Sequence, residues 1–159
     1  MAFAKTKNIT VLSSQTLESS EAATQAAASR SIVDSYYSDQ VNVSCKYTTG
    51  ASETGTTCYI KLWGYIGSKN ENTNFPYTSG VNLDIANDTA NWIQLGEYVT
   101  TGGEAVFTAT TYKIVGGAGA TVYAAHFAQG LTFSKLRVSA YESGVSSNKG
   151  NLTVVVSVQ

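Results

Sequence analysis

The side chains that most often carry catalysis are scarce in this sequence. Histidine occurs once, as His126, and the cysteines are Cys45 and Cys58 alone. Nucleophilic catalysis needs a nucleophile, a base and an orienting group within hydrogen-bond distance, and no spacing in the chain singles out such a set. We therefore predict no catalytic residue and no enzymatic activity, and we expect His126 to be a structural or surface residue.

The two cysteines flank a Gly-containing stretch at 49–55 that has the composition of a turn. In a symmetric hairpin Cys45 would lie opposite Cys58, and the Cα atoms of such a pair can be about 4.5 Å apart, within reach of a disulfide. No apolar signal segment is visible at the start of the chain, and a reducing compartment favours free thiols. The pair is predicted to be either a disulfide or two buried thiols. Two cysteines alone do not make a metal site, so no metal is predicted.

Two further patterns are weak indications, one of a calcium site and the other of a phosphate-binding loop. Asp84, Asn87 and Asp88 are oxygen ligands at close spacing, but they fit no EF-hand loop, and Asx turns are the more common use of such residues. The glycines at 102–103 and 116–119 are followed neither by a helical pattern nor by Gly-Lys-Ser/Thr, which excludes a phosphate loop. We expect no cofactor.

Composition narrows the class of protein. The chain has 159 residues, of which 43% are hydrophobic and 13% charged, with ten Lys and Arg against eleven Asp and Glu. This balance leaves little with which to build the basic face of a nucleic-acid-binding protein. No apolar run approaches the roughly 18 residues of a membrane span. We expect synthesis in the cytoplasm, with neither nucleic acid nor a membrane as a partner.

Strand signals are dense after residue 31. Val, Thr and Tyr alternate with polar residues between Gly-rich turns, which is typical of antiparallel β structure. The sequence predicts an all-β antiparallel sandwich, jelly-roll-like, over residues 31–159, preceded by a polar N-terminal arm over residues 1–30. The predicted strands are 40–48, 57–66, 91–100, 104–115, 121–128, 135–141 and 151–159.

One face of the predicted 57–66 strand is the most informative feature. It carries Tyr59, Lys61, Trp63 and Tyr65, and in a hairpin it would lie beside Asn42, Ser44 and Lys46. This face either packs on a second sheet or is a surface for a partner, because Tyr and Trp combine large area with a hydrogen-bonding tip. The other candidate partner-binding residues are Phe75 and Tyr77, in a long polar loop at 67–90, and Leu17 in the arm. Aromatic platforms also bind sugars, so a glycan remains a candidate ligand.

Three segments resemble small β-sandwich virion proteins of tailed bacteriophages. In residues 86–97 (ANDTANWIQLGE) a polar turn leads into Asn-Trp and a strand ending in Leu-Gly, and residues 134–159 contain a Leu-Arg-Val strand, a polar turn and a terminal strand. The polar stretch at 13–25 is similar to the N-terminal arms of such proteins. The resemblance implies a non-enzymatic virion component: a head decoration (cement) protein, or a part of the tail or neck.

The expected function follows from these features. We expect a structural protein of the virion that binds the major capsid protein or tail and neck proteins and forms a homo-oligomer. Many weak contacts can hold such a small domain firmly when several are engaged together. A glycan-binding module on the virion surface is the alternative from a different class.

Overall fold

The computed structural model describes residues 6–21, 24, 32–34, 41–65, 92–101, 104–117, 122–129, 135–145 and 147–159. These residues form eleven strands: β1 Lys7–Thr16, β2 Ile32–Asp34, β3 Val41–Thr48, β4 Thr57–Tyr65, β5 Trp92–Gln94, β6 Gly96–Thr101, β7 Glu104–Ala109, β8 Thr111–Val115, β9 Val122–Gln129, β10 Lys135–Ser143 and β11 Asn151–Val158. Across this part of the chain no helix has the length and apolarity that crossing a membrane requires.

The strands form two main sheets and one separate ribbon. Sheet A has the order β1-β11-β3-β9, and sheet B has the order β2-β10-β4-β5 with β8 also paired to β4. Strands β6 and β7 form the two-stranded ribbon. Every pairing is antiparallel, and buried side chains of both sheets share one core. The prediction of an all-β antiparallel sandwich is confirmed.

Alternation of apolar and polar residues determines which side of each strand faces the core. In β11, Leu152, Val154, Val156 and Val158 are buried, whereas the residues between them are exposed or half-buried. Strands β3 and β4 have the same period of two, with Val43, Cys45, Ile60 and Leu62 pointing inward. Because successive side chains in a strand point to opposite faces, one buried face fixes the register of each strand.

The predicted hairpin between β3 and β4 is wrong. Strand β3 pairs with β11 and β9, whereas β4 pairs with β10, β5 and β8, so residues 49–56 cross from sheet A to sheet B. The connection is tied into the protein, since Thr49, Glu53 and Thr56 are buried in it. Positive φ angles of 66° at Ser52 and 71° at Gly55 help the chain to turn there.

The predicted N-terminal arm needs a correction for the part that the structure describes. Residues 7–16 are β1, which pairs along β11 from Lys7↔Val158 to Thr16↔Asn151. Ile9, Val11 and Leu12 enter the core, and bulges after Thr10 and Leu12 adjust the strand to its partner. Residues 7–17 therefore belong to the sandwich. Residues 1–5, 22–23 and 25–30 lie outside the described residues.

The predicted strands at 91–100 and 104–115 are each divided in two. Strand β5 pairs with the last residues of β4, and β8 pairs with the first ones, while the β6–β7 ribbon connects them. The Leu95 N–H donates to the Leu62 carbonyl at 2.8 Å, and the Thr110 N–H donates to the Leu95 carbonyl at 3.0 Å. These bonds mark where the chain leaves sheet B and returns to it.

Candidate functional site

The two cysteines lie on different sheets and not across a hairpin from one another. Cys45 on β3 of sheet A and Cys58 on β4 of sheet B are both free and both buried in the shared core. Burial raises the pKa of the Cys45 thiol to about 12, and it also raises the pKa of Cys58, to which a negative charge on Cys45 would add. Because the thiolate is the nucleophilic form of cysteine, burial disfavours nucleophilic chemistry at both side chains.

A buried polar cluster joins the two sheets at one end of the sandwich. The Tyr47 hydroxyl donates a hydrogen bond to the Glu142 carboxylate and lies 2.7 Å from Thr56 Oγ1. The Gly150 N–H donates to Glu142 Oε2 at 2.8 Å. Burial and the neighbouring carboxylate raise the pKa of the Tyr47 hydroxyl, so it stays protonated and remains a donor.

A second buried carboxylate holds the loop between β10 and β11. Glu53, 2% exposed, accepts hydrogen bonds from the backbone N–H groups of Ser147 at 2.7 Å and Asn148 at 2.6 Å. The Asn148 amide donates to the Ala51 carbonyl at 2.7 Å. Glu53 lies in the stretch at 49–55 that the sequence predicts to be a simple turn. It is the only charged residue in that stretch, and this is the one sequence feature that indicates a partner for it. Both carboxylates have structural roles.

The candidate functional site is the outer face of sheet B, the face directed away from the core. On β4 and its neighbours it carries Tyr59, Lys61, Trp63, Tyr65, Trp92, Lys113, Lys135, Arg137, Ser139 and Tyr141, as the strand registers place them. Tyr59, Lys61, Trp63 and Tyr141 are half-buried, whereas Lys113 is exposed. The face thus combines aromatic rings with three lysines and with Arg137, which is buried at 1% exposed.

The first half of this face is a stack of rings and ammonium groups. Tyr59 and Tyr141 lie opposite one another on β4 and β10, and their rings stack with centroids 4.7 Å apart and planes 6° from parallel. Lys113 Nζ lies 5.6 Å from the Tyr59 centroid, and Lys61 Nζ lies 5.9 Å from the Tyr141 centroid. The faces of these rings are engaged within the protein, so their edges and the ammonium groups are what a partner can reach.

The second half of this face has a similar arrangement, in which a basic group lies near each of two aromatic rings. Tyr65 and Trp92 meet edge to face at 5.2 Å between centroids, and both are buried. Lys135 Nζ lies 5.5 Å from the Tyr65 centroid, and the Arg137 guanidinium lies 6.0 Å from the Trp92 centroid. Tyr65 and Trp92 are therefore anchors of the face, and Trp63 packs against them.

The N-terminal segment, residues 17–21, brings a carboxylate to this face. The Leu17 N–H donates to the Gly150 carbonyl and the Glu142 N–H donates to the Glu18 carbonyl, each at 2.9 Å, so the segment crosses from sheet A to sheet B. Glu21 then forms a salt bridge with Lys61, and its Oε2 accepts a hydrogen bond from Ser139 Oγ at 2.8 Å. Trp63 Nε1 donates to the same Ser139 Oγ at 2.8 Å.

The predicted partner-binding residues are thus only partly together. Tyr59, Lys61, Trp63 and Tyr65 share the outer face of sheet B, which does not pack on sheet A. Asn42, Ser44 and Lys46 are not beside them, because β3 belongs to the other sheet. Leu17 is fully buried in the core, so its assignment to a binding surface is wrong. Phe75, Tyr77, Asp84, Asn87 and Asp88 lie outside the described residues.

Among the described residues, the remaining chemistry-bearing positions add no second site. His126 lies on β9, where its backbone is opposite Ser44 of β3. Within the described ranges, no group of three or more His, Cys, Asp or Glu residues is arranged to hold a metal ion. Comparisons with protein-family models, with curated proteins and with solved structures found no match.

Proposed function

We propose that this chain is a non-enzymatic structural protein of a virion, which binds a protein lattice through the outer face of sheet B. The observation that supports this most is that one sheet face carries the stacked Tyr59 and Tyr141 rings, with Lys113 and Lys61 over them, together with Trp63. Tyr and Trp are enriched in protein interfaces, where one part of the side chain packs and the other forms hydrogen bonds. A head decoration protein is the form of this role that we favour over a tail or neck protein.

The strand order supports the proposal through the fold. The first four strands pair with later ones in reverse order: β1 with β11, β2 with β10, β3 with β9, and β4 with β8 and β5. Successive strands from β1 to β4 also alternate between the two sheets. We take this as the wrapping of a jelly roll, an architecture that viral capsid and lectin domains use. A shared fold alone does not determine function, so the proposal depends on the side chains of the outer face of sheet B.

The surface favours a protein partner over a sugar. Sugar rings and nucleobases bind aromatic side chains by stacking on an open ring face. Here Tyr59 and Tyr141 cover one another, and Lys113 lies over the Tyr59 ring. A glycan-binding module, the alternative from the sequence, has less support at these rings than a protein interface does.

Multiple copies would make a modest interface sufficient. The β6–β7 ribbon is paired to no other described strand, and its register places Tyr98 opposite Phe107 and Val99 opposite Val106. A two-stranded ribbon has little stability alone, and contact with a neighbouring copy would supply what it lacks. We propose a homo-oligomer on the lattice, held by the combined effect of several weak contacts.

Particle binding tests the proposed function. Purified chain is mixed with virions that lack it, the particles are sedimented, and bound chain is quantified against the amount added. We expect saturable binding that is weakened by Lys113→Glu on the outer face of sheet B and unchanged by Lys46→Glu on the outer face of sheet A. Lys46 is the matched control because it is also exposed and lies on a strand. Absence of saturable binding, or equal loss in both variants, overturns the proposal.

A further inference from the structure

The N-terminal segment (residues 7–24, of which 22 and 23 lie outside the described residues) occupies a groove that later strands of the chain build. Strand β1 lies along β11 at the edge of sheet A. Residues 17–21 then pass the β10–β11 loop and reach sheet B, where Glu21 contacts Lys61 and Ser139. The apolar side chains that the segment buries in the core are Ile9, Val11, Leu12 and Leu17.

The contacts of this segment join residues that are far apart in the sequence. Thr16 Oγ1 donates a hydrogen bond to Asn151 Oδ1 at 3.3 Å, across 135 positions of the chain. Glu18 forms a salt bridge with Lys149, across 131 positions. The same contacts would form with the equivalent residues of any copy of the chain. The fit between the groove and its own N-terminal segment is therefore equally a fit to the segment of a second copy.

A polar stretch of sequence connects this segment to the rest of the chain. Residues 25–31 (QAAASRS) contain no apolar residue larger than alanine, and β2 begins directly after them at Ile32. Fully extended, the chain from residue 24 to residue 32 can span about 25 Å. That is more than twice the roughly 10 Å between packed sheets. A different path for this stretch, leading to a neighbouring copy, would sacrifice little apolar burial.

The pairing of β1 is less regular than that of the strand on the other side of β11. The β1–β11 register is interrupted between Thr10 and Leu12 and again between Leu12 and Gln15, whereas β3 pairs with β11 without interruption. Ser14 in this irregular part has a φ of 45°, in a region that few residues other than glycine adopt. As an edge strand, β1 has one neighbour in the sheet, whereas β3 has two. Strand β1 therefore detaches at a lower cost than β3.

We propose that copies of this chain exchange their N-terminal segments, so that β1 of one copy pairs with β11 of a second copy and the reverse. The inference adds a contact between copies to the proposed function and does not depend on it. Exchange replaces the contacts of the segment by identical ones between copies, which makes it a low-cost route to a dimer. The closed monomer avoids the entropy lost on association, so the balance depends on concentration. Exchange is favoured wherever copies are held close together.

Engineered disulfides at one register position of sheet A test the exchange. Ser157 on β11 lies between Asn8 of β1 and Asn42 of β3. The test variant is Asn8→Cys/Ser157→Cys, and the matched control is Asn42→Cys/Ser157→Cys, which links two strands that are not exchanged. Opposed residues of antiparallel strands are close enough for a disulfide in both variants. Each reduced full-length protein is refolded at a series of concentrations, oxidised with glutathione disulfide and separated on a non-reducing denaturing gel.

We expect the test variant to give a covalent dimer. While the dimer is the minor species, its ratio to the monomer should rise about tenfold for each tenfold rise in the refolding concentration. The control variant should stay monomeric throughout. An oligomer formed through another surface, such as the β6–β7 ribbon, gives no covalent link at this position, because its cysteines pair within each copy.

Two results would overturn the inference: a test variant that stays monomeric over the whole range, or equal shares of dimer in the test and control variants. If the reduced test variant does not unfold cooperatively, Thr10→Cys/Val155→Cys replaces it, with Ser44→Cys/Val155→Cys as its control. Thr10 and Ser44 lie opposite Val155 on β1 and β3, so the same comparison is made one register position further along and the same outcomes decide. Neither result affects particle binding, which the Lys113 and Lys46 variants test separately.

Discussion

The hydroxyl of Tyr47 on sheet A donates a hydrogen bond to the carboxylate of Glu142 on sheet B. Both side chains are buried, with Tyr47 and Glu142 no more than 1% exposed. Thr56 Oγ1 and the Gly150 N–H complete the cluster at 2.7 Å and 2.8 Å. A shift of one sheet against the other would leave buried polar groups without partners, so this contact fixes their relative position at one end.

Tyr47→Phe is expected to lower the free energy of unfolding by about 1–3 kcal/mol, because it leaves the buried Glu142 carboxylate with one donor fewer. Tyr141→Phe is the matched control, since Tyr141 is half-buried on the outer face and the same atom is removed. That control should cost about 0.5 kcal/mol or less. Urea unfolding followed by circular dichroism measures both. Equal costs in the two variants would show that the cluster does not join the sheets in the way described.

The buried thiols predict how stability depends on alkaline pH. Burial raises the pKa of Cys45 from 9.0 to about 12, and it raises the pKa of Cys58 as well. A raised pKa in the folded state contributes stability that is complete below the ordinary thiol pKa of 9.0 and is lost as the pH rises toward 12. We therefore expect the free energy of unfolding to fall steadily above pH 9.0.

A double variant isolates the contribution of the thiols. In Cys45→Ala/Cys58→Ala the free energy of unfolding should start lower, because core volume is lost, but it should fall less steeply with pH. Tyr47 is present in both proteins, and the main causes of its raised pKa, burial and Glu142, are unchanged by the substitutions, so most of its contribution cancels in the comparison of slopes. Urea unfolding at a series of alkaline pH values gives both slopes, and slopes that coincide would contradict the assignment of the pH dependence to these thiols.

Truncation tests whether the N-terminal residues form a strand of the sandwich or a separate arm. Deletion of residues 1–6 should leave cooperative unfolding intact, because β1 begins at Lys7. Deletion of residues 1–17 removes the partner of β11 and takes Leu17 out of the core, which should cost about 3 kcal/mol or more. Thermal unfolding measures both proteins. A stable, cooperatively folding 18–159 chain would restore the interpretation of this region as an arm.

The β6–β7 ribbon should be removable without loss of the sandwich. Strands β5 and β8 each pair with β4 independently of the ribbon, and Gly96 lies opposite Ala109 at its base. Replacing residues 97–108 by a short Asn-Gly turn keeps this pair and joins it by a favoured hairpin loop. We expect cooperative thermal unfolding close to that of the full chain. A molten or insoluble product would show that the ribbon is part of the fold's support.

The sequence predicted where several strands lie, but it did not predict which strands pair with one another. Strands β3, β4, β10 and β11 were located because period-two alternation is a local property, and it also showed that Cys45 and Cys58 point inward. Alternation does not say which strand lies alongside. The short connection at 49–56 suggested a hairpin, but its buried Glu53 and Thr56 tie it between the sheets.

The candidate site was predictable only along a single strand. Tyr59, Lys61 and Trp63 share a face because they are two residues apart. Their partner Tyr141 lies on β10, far along the chain, and no local pattern places β10 next to β4. Glu21 was beyond prediction for the same reason, since its contacts with Lys61 and Ser139 depend on the path by which the N-terminal segment crosses between sheets.

Quantitative mass spectrometry of purified virions tests the central claim most directly. The account predicts that this chain is a component of the particle, present in many copies relative to the major capsid protein if it decorates the head, and in few copies if it belongs to the neck or tail. Virions from which the chain is absent, although the infected cells contain it, would contradict the claim that it is a structural protein of the particle.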